Sequence, residues 1–89
     1  MDSETTPQLS IHELTSDHLP FDGGVILQRK RGRAPHLGVV AVSFPKSQQI
    51  VVWTVNLQDA YRERGGGFYN GAYFGRDELT DAVKEYSSR

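Results

Sequence analysis

"LGVVAVSFPKSQQIVVWTVNL", residues 37–57, consists of two extended-looking runs joined by a short polar connector. The run 37–44 is apolar on both faces of an extended chain, which is typical of a central strand. The run 50–57 has one fully apolar face, formed by Val51, Trp53, Val55 and Leu57. Because so few residues separate the two runs, they predict an antiparallel hairpin. We expect Trp53 to belong to the core of the domain.

Two more strands and a helix are predicted around this hairpin. The segments GVILQRK (24–30) and FYNGAYF (68–74) are rich in β-branched or aromatic residues, and Gly71 indicates a bulge or a close backbone approach. In 76–89 one apolar stripe has the i, i+3, i+4, i+7 spacing of an amphipathic helix: Leu79, Ala82, Val83 and Tyr86. The sequence therefore predicts an α+β domain, a four-stranded antiparallel sheet packed on one face by a C-terminal amphipathic helix.

The N-terminal segment is polar and is predicted to be flexible over residues 1–9, which leaves a single domain over 10–89. Ser10 and Glu13 have the spacing of a capping box, so a short N-terminal helix is one interpretation of this region. The alternation of Leu9, Ile11 and Glu13 fits a strand equally, and both alternatives stay open.

Length and composition exclude several classes of protein. A chain of 89 residues forms one domain and has little room for a deep enclosed site. The absence of cysteine excludes disulfide scaffolds and thiolate metal sites. No stretch approaches the roughly 18 apolar residues of a membrane span, and the N-terminus does not have the pattern of a signal peptide. We expect a cytoplasmic protein that does not contact membranes.

Catalytic and cofactor motifs are not recognisable in the sequence. The three histidines lack metal-ligand spacing, and the glycines at 65–67 lead into a strand rather than into the helix that a phosphate loop needs. The stretch RGGGFYNG (64–71) begins like an RNA-recognition signature but has Gly66 and Gly71 where stacking aromatics belong. We interpret the glycines as a tight turn, and we predict no enzyme activity, no cofactor and no metal.

Charge is distributed unevenly along the chain. Residues 1–22 contain five acids and no Lys or Arg, whereas residues 23–46 contain five basic residues and no acid. Two groups of residues are predicted to bind a partner. The first is the basic cluster of Arg29, Lys30, Arg31 and Arg33. The second, formed by Tyr61, Arg62 and Arg64, joins it if the loops 29–36 and 58–70 lie at one end of the sheet. Tyr61 is the expected anchor, because Tyr and Arg are enriched at interface hot spots. A solvated hairpin end is the alternative interpretation of the cluster.

The end of the chain resembles small uncharacterised proteins of phages and other mobile elements. The resemblance covers residues 50–89 and rests on Trp53, on GAYF leading into a helix, and on AVKEY followed by Arg89. It implies a host-interaction protein, including inhibitors of bacterial defence systems that occlude a partner surface. We therefore expect a small protein-binding module, monomeric or homodimeric, whose surface is formed by loops 29–36 and 58–70. The alternatives are a nucleic-acid accessory protein and a small enzyme or ligand-binding subunit.

Overall fold

The central hairpin and its two neighbours form the predicted sheet. In the computed structural model, which describes residues 7–89, the strands are β1 (Val25–Arg31), β2 (Leu37–Phe44), β3 (Gln49–Asn56) and β4 (Phe68–Gly75). Their order is β1-β2-β3-β4 and every pair is antiparallel, so within these residues the sheet is an open four-stranded meander. β1 and β4 are its edges.

One face of the sheet, here called the helix face, is covered by the C-terminal helix. After a single 3-10 turn at Arg76–Glu78, α2 (Leu79–Ser88) crosses β2, β3 and β4. A small core lies beneath it, with Phe74 and Tyr86 packed against three buried residues: Val39, Ala41 and Val52. The predicted α+β architecture is confirmed.

The opposite face, here called the N-terminal face, holds the larger core. The chain before β1 crosses it in two 3-10 turns, Ile11–Glu13 and Ser16–His18. The buried side chains come from this segment, from the two central strands and from the residues after β3: Ile11, Leu14, Leu19, Val40, Val42, Val51, Trp53, Val55, Leu57 and Ala60. The sequence did not predict this second covering layer, because its apolar residues are too widely spaced to show a helical or strand period.

The capping box at the start of the first turn is present. The Ser10 backbone N–H donates to Glu13 Oε1 at 2.8 Å, and the His12 N–H donates to Ser10 Oγ at 3.2 Å. The helix predicted here is thus a single 3-10 turn. Positions 1–6 of the segment predicted to be flexible lie outside the described residues. The Leu9 N–H donates to the Leu57 carbonyl oxygen at 3.1 Å, which joins this segment to the residue that directly follows β3.

The stretch predicted as the end of a strand and a loop, 57–67, begins with a helix instead. β3 ends at Asn56, and α1 (Leu57–Arg62) starts directly after it. The physical reason is the Asn56 side chain, which accepts hydrogen bonds from the N–H groups of Gln58 and Asp59 at 3.0 and 3.2 Å. An asparagine in this position satisfies two of the free amides of a helix start. Leu57 is buried as predicted, but as the first residue of α1.

The bulge predicted in β4 is confirmed. The pairing register with β3 shifts between Val52 and Thr54, opposite Asn70 and Gly71, and Asn70 has a left-handed φ of 57°. A Cβ atom on Gly71 would lie 2.7 Å from Trp53 Nε1. The indole therefore occupies the space that a side chain would need, which accounts for the glycine.

Candidate binding surfaces

The first three residues of the predicted basic cluster lie on a strand and not in a loop. Arg29, Lys30 and Arg31 are the last residues of β1, so the loop begins only after them. The strand predicted over 24–30 already included Arg29 and Lys30. The loop expected over 29–36 begins only after Arg31, because β1 pairs with β2 as far as Gly38. They occupy an edge strand, where the outer side of the backbone has no neighbouring strand among residues 7–89.

The alternation of the strand divides these cations between the two faces of the sheet. Arg29 pairs with Val40, a core residue of the N-terminal face, whereas Lys30 pairs with Val39 of the helix face. Arg31 points the same way as Arg29, since successive side chains of a strand alternate. The basic residues therefore line both sides of the β1 edge rather than forming one patch.

Two of these cations also hold the covering layers in place. Arg29 Nη1 donates to the Leu14 carbonyl oxygen at 3.2 Å, and Lys30 Nζ donates to the Ser87 carbonyl oxygen at 3.5 Å while lying 4.8 Å from the centre of the Tyr86 ring. These hydrogen bonds are made to backbone carbonyl oxygens, whereas the ion pair seen within residues 7–89 joins Arg89 to Glu85. The Arg29 guanidinium has five N–H donors and the Lys30 ammonium has three, so each has donors beyond the one that it uses in these contacts.

The remaining predicted residues are spread over other elements. Arg33 lies in the β1–β2 loop and lines a shallow polar depression with Tyr69 and Arg89 on the helix face. Tyr61, Arg62 and Arg64 are exposed on α1 and on the turn that follows it. They belong to the connection between β3 and β4, and neither of these strands is a neighbour of β1 in the sheet.

The expectation that both connections lie at one end of the sheet is confirmed. The Leu57 N–H donates to the His36 carbonyl oxygen at 2.7 Å, which ties the start of α1 to the β1–β2 loop. The seven predicted residues are nevertheless distributed over a strand, a loop, a helix and a turn. Tyr61 is 56% exposed, as an anchor would be, but it lies on α1, whereas Arg29 and Lys30 lie on β1.

An apolar groove between β1 and α2 is a surface feature that the sequence did not predict. Its volume is about 220 Å³, and its walls and floor are mostly apolar: Leu27, Gln28, Ala41, Ile50, Leu79, Ala82, Val83, Tyr86 and Ser87. Leu27, Leu79 and Val83 are 49, 53 and 54% exposed. The groove exists because α2 packs over β2, β3 and β4 and leaves the β1 side of the helix face open.

The sequence could not have identified this groove. Leu79 and Val83 belong to the apolar stripe of α2, and such a stripe normally predicts burial. In the structure Ala82 is buried and Tyr86 half-buried, while Leu79 and Val83 are exposed and line the groove together with Leu27. Leu27 reaches the helix face through a register shift between Ile26 and Gln28, for which the sequence has no signal.

An aromatic cluster surrounds Trp53 on the N-terminal face. Trp53 is 4% exposed, which confirms its predicted place in the core. Four rings lie with their centroids 5.6 to 6.4 Å from its ring: Phe21, Phe44, Phe68 and Tyr73. Phe21 and Tyr73 are each 56% exposed, so this part of the core reaches the surface beside β4.

The glycine-rich stretch forms the tight turn that we inferred. Gly65 and Gly67 have φ angles of +80° and +85°, which side chains rarely adopt, and the Gly67 carbonyl oxygen accepts from the Asn56 N–H at 2.8 Å. A Cβ on Gly67 would approach the Asn56 carbonyl oxygen to 2.5 Å. The three glycines allow the chain to fold back on α1 and to start β4.

Titratable groups give no sign of a reaction centre in the part of the chain that the structure describes. Burial raises the pKa of the Tyr86 hydroxyl above its ordinary value of 10.0, and this residue of α2 packs against the core of the helix face. Residues 7–89 hold no group of three or more His, Asp or Glu side chains placed to bind a metal ion. In the same range no helix is long and apolar enough to cross a membrane.

No protein-family model matches the chain, and comparisons with curated proteins and with solved structures gave no match. The function therefore has to be argued from the two edges of the sheet and the surfaces beside them.

Proposed function

We propose that this protein is a small non-catalytic protein-binding module that uses the β1 edge and the β1–α2 groove. One observation carries the proposal: three large apolar side chains remain about half exposed in a groove that runs beside a basic edge strand. Exposed apolar side chains gathered in one place mark interaction sites in soluble proteins.

The partner that fits this surface is an extended protein segment carrying both apolar and acidic side chains. Its backbone would pair with the free side of β1, as in other cases of strand addition. Its apolar side chains would cover Leu27, Leu79 and Val83, and burying the exposed half of each contributes about 1 kcal/mol. Its carboxylates would meet Arg29, Lys30 or Arg31, since cations line both sides of the added strand.

The resemblance of residues 50–89 to phage and mobile-element proteins extends the proposal. On that basis the partner is a host protein in the cytoplasm, and the effect of binding is to occlude a surface that the host protein needs. Tyr61, Arg62, Arg64 and Arg33 lie on other elements than β1, outside the surface that this proposal uses.

The test is a selection from a library of random twelve-residue peptides, followed by measurement of affinity by fluorescence anisotropy. We expect enrichment of peptides that combine Leu, Ile or Val with Asp or Glu. Leu27→Ser and Val83→Ser should each weaken binding by roughly tenfold, which corresponds to about 1.4 kcal/mol. Tyr61→Ser is the matched control, since Tyr61 is equally exposed but lies away from the groove, and it should change affinity less than twofold.

Salt and oligonucleotides separate this proposal from nucleic-acid binding. A peptide held mainly by apolar burial and pairing should lose little affinity when salt is raised, whereas binding to several phosphates falls steeply with the logarithm of salt concentration. A protein that selects no peptide, but binds a 20-nucleotide DNA or RNA with a steep salt dependence lost in Arg29→Ser and Arg31→Ser, would overturn the proposal.

A further inference from the structure

The two edges of the sheet differ in a way that points to self-association. β1 ends in three consecutive cations, whereas β4, FYNGAYFG, has eight residues without a charge or a proline. Edge strands are usually protected from pairing by charged side chains, prolines or covering loops. Among residues 7–89 no further strand lies on the outer side of β4. We infer that two copies of this chain pair through their β4 edges, antiparallel, and form one continuous sheet.

Charge and symmetry favour the β4 strand of a second copy as the partner of the β4 edge. Pairing of β1 with the β1 of another copy would bring two strands with three cations each together. Pairing of β1 with β4 would leave a free β1 and a free β4 at opposite ends, so copies could add without limit. Pairing of β4 with β4 meets both conditions. It closes the assembly by a two-fold axis, and it brings no charged strand residues together.

Exposed tyrosines are available on both faces of this edge. Tyr73 pairs with Val51 on the N-terminal face and is 56% exposed, while Tyr69 pairs with Thr54 on the helix face and is 47% exposed. Aromatic side chains on neighbouring antiparallel strands stabilise the pairing. Tyr73 would therefore cover a second β4 on the N-terminal face, whereas Tyr69 lies beyond the bulge on the helix face.

The bulge limits how much of β4 can pair. Asn70 and Gly71 leave the regular register, and the Asn70 carbonyl oxygen already accepts from Arg89 Nη2. At the other end of the strand the Gly75 N–H already donates to Glu78 Oε1 at 2.7 Å. The straight part between these two contacts is 72–74, so we place the two-fold axis at Tyr73. The tyrosines and a short strand bury less area than the roughly 1,200 Å² of a standard interface, and we expect a weak dimer with a Kd on the order of 100 μM.

The experiment is sedimentation velocity of the full chain over protein concentrations from about 10 μM to about 1 mM, which bracket this Kd. Wild type should change from monomer to dimer across the range. Tyr73→Lys places two lysines close to the two-fold axis and should raise the Kd at least about tenfold, and Tyr73→Ser, which removes the ring without adding a charge, should raise it by a smaller factor. Gln28→Lys puts the same charge on the β1 edge and should leave the Kd unchanged.

Each outcome decides the inference. Wild type that stays monomeric at about 1 mM overturns it. So does a dimer that both tyrosine variants leave intact, or one that Gln28→Lys disrupts instead. Circular dichroism and Trp53 fluorescence verify that each variant is folded. If Tyr73→Lys fails this check because Tyr73 contacts Trp53, the smaller change Tyr73→Ser decides alone. The result is independent of peptide binding at β1, since the dimer leaves that edge free.

Discussion

Trp53 and Gly71 depend on each other, and this pair is the most sensitive point of the core. A Cβ at position 71 would lie 2.7 Å from Trp53 Nε1 and 2.9 Å from Cδ1, so the indole would have to move. We predict that Gly71→Ala lowers the free energy of unfolding by about 1–3 kcal/mol, the usual cost of overpacking a core. Urea unfolding followed by Trp53 fluorescence measures it.

Gly75→Ala is the matched control in the same strand. The nearest atoms to its added Cβ would be carboxylate oxygens of Glu78 and Asp77 at 3.2 and 3.3 Å, the far ends of side chains that can rotate away. Its effect should stay within about 0.5 kcal/mol, as for most surface substitutions. Equal effects of the two variants would show that backbone freedom, and not the indole, requires a glycine at 71.

Tyr86 predicts a change of stability in alkaline solution. Because burial raises its pKa above 10.0 in the folded state, the unfolded chain loses this proton first as the pH rises. The unfolded state is then favoured, so the free energy of unfolding falls once the pH passes about 10 and continues to fall up to the folded-state pKa. Below pH 10 the contribution of Tyr86 is constant.

The check compares urea midpoints of wild type and Tyr86→Phe between about pH 8 and pH 11. Titration of the lysines and of the other tyrosines is common to both proteins, so it cancels in the difference. The stability of wild type relative to the variant should decrease above pH 10. A difference that stays constant would mean that the hydroxyl reaches water in the folded state.

The burial of a single residue could be predicted from the sequence where the pattern of its own strand determines it. Trp53 was assigned to the core because it lies on a strand with apolar neighbours at alternate positions, and it is buried. Arg29 and Lys30 were expected to act together because they are adjacent in sequence. Adjacent residues of a strand face opposite ways, so neighbouring positions in β1 place the Arg29 and Lys30 side chains on different faces of the sheet.

At the scale of elements, Arg89 fixes the end of α2 to the sheet. Its guanidinium donates to Glu85 Oε2 at 2.8 Å, to Thr54 Oγ1 at 2.9 Å and to the Asn70 carbonyl oxygen. Its side chain is 11% exposed, so these partners would lose their hydrogen bonds in a sheltered place. We predict that Arg89→Ala lowers the free energy of unfolding by about 1–3 kcal/mol.

Lys84→Ala is the control for this prediction, since Lys84 is exposed on the same helix. Thermal unfolding followed by circular dichroism compares the two, and the control should differ from wild type by less than about 0.5 kcal/mol. If both variants unfold with wild-type stability, packing of Ala82 and Tyr86 alone holds the helix.

Strands and the C-terminal helix were predictable because each has its own period over enough residues. α1 was missed since six residues are too few for a helical period, although Asn56 before an otherwise polar segment is a helix-start signal in retrospect. The layer before β1 was missed for a different reason. Its two 3-10 turns bury Ile11, Leu14 and Leu19, which follow no repeating spacing.

At the scale of the whole molecule, the two faces of the sheet are unequally covered. The N-terminal face has the larger core, whereas α2 buries only Ala82 fully and leaves the groove open. β2 and β3 are hydrogen-bonded on both sides and covered on both faces. Proteins open locally where few apolar contacts hold an element, so α2 is expected to undock before the sheet opens.

Hydrogen exchange measured by NMR should show this order. We predict that amides of β2 and β3 exchange only through global unfolding, and that amides of α2 exchange at least about tenfold faster, through undocking. A peptide selected by the protein should raise protection in α2, because it would bridge Val83 to Leu27 and close the groove. Protection that rises only along β1 would mean that partners use the strand edge without the helix. Equal exchange of α2 and β3 before any peptide is added would mean that helix and sheet unfold as one unit, with the groove rigid in the free protein.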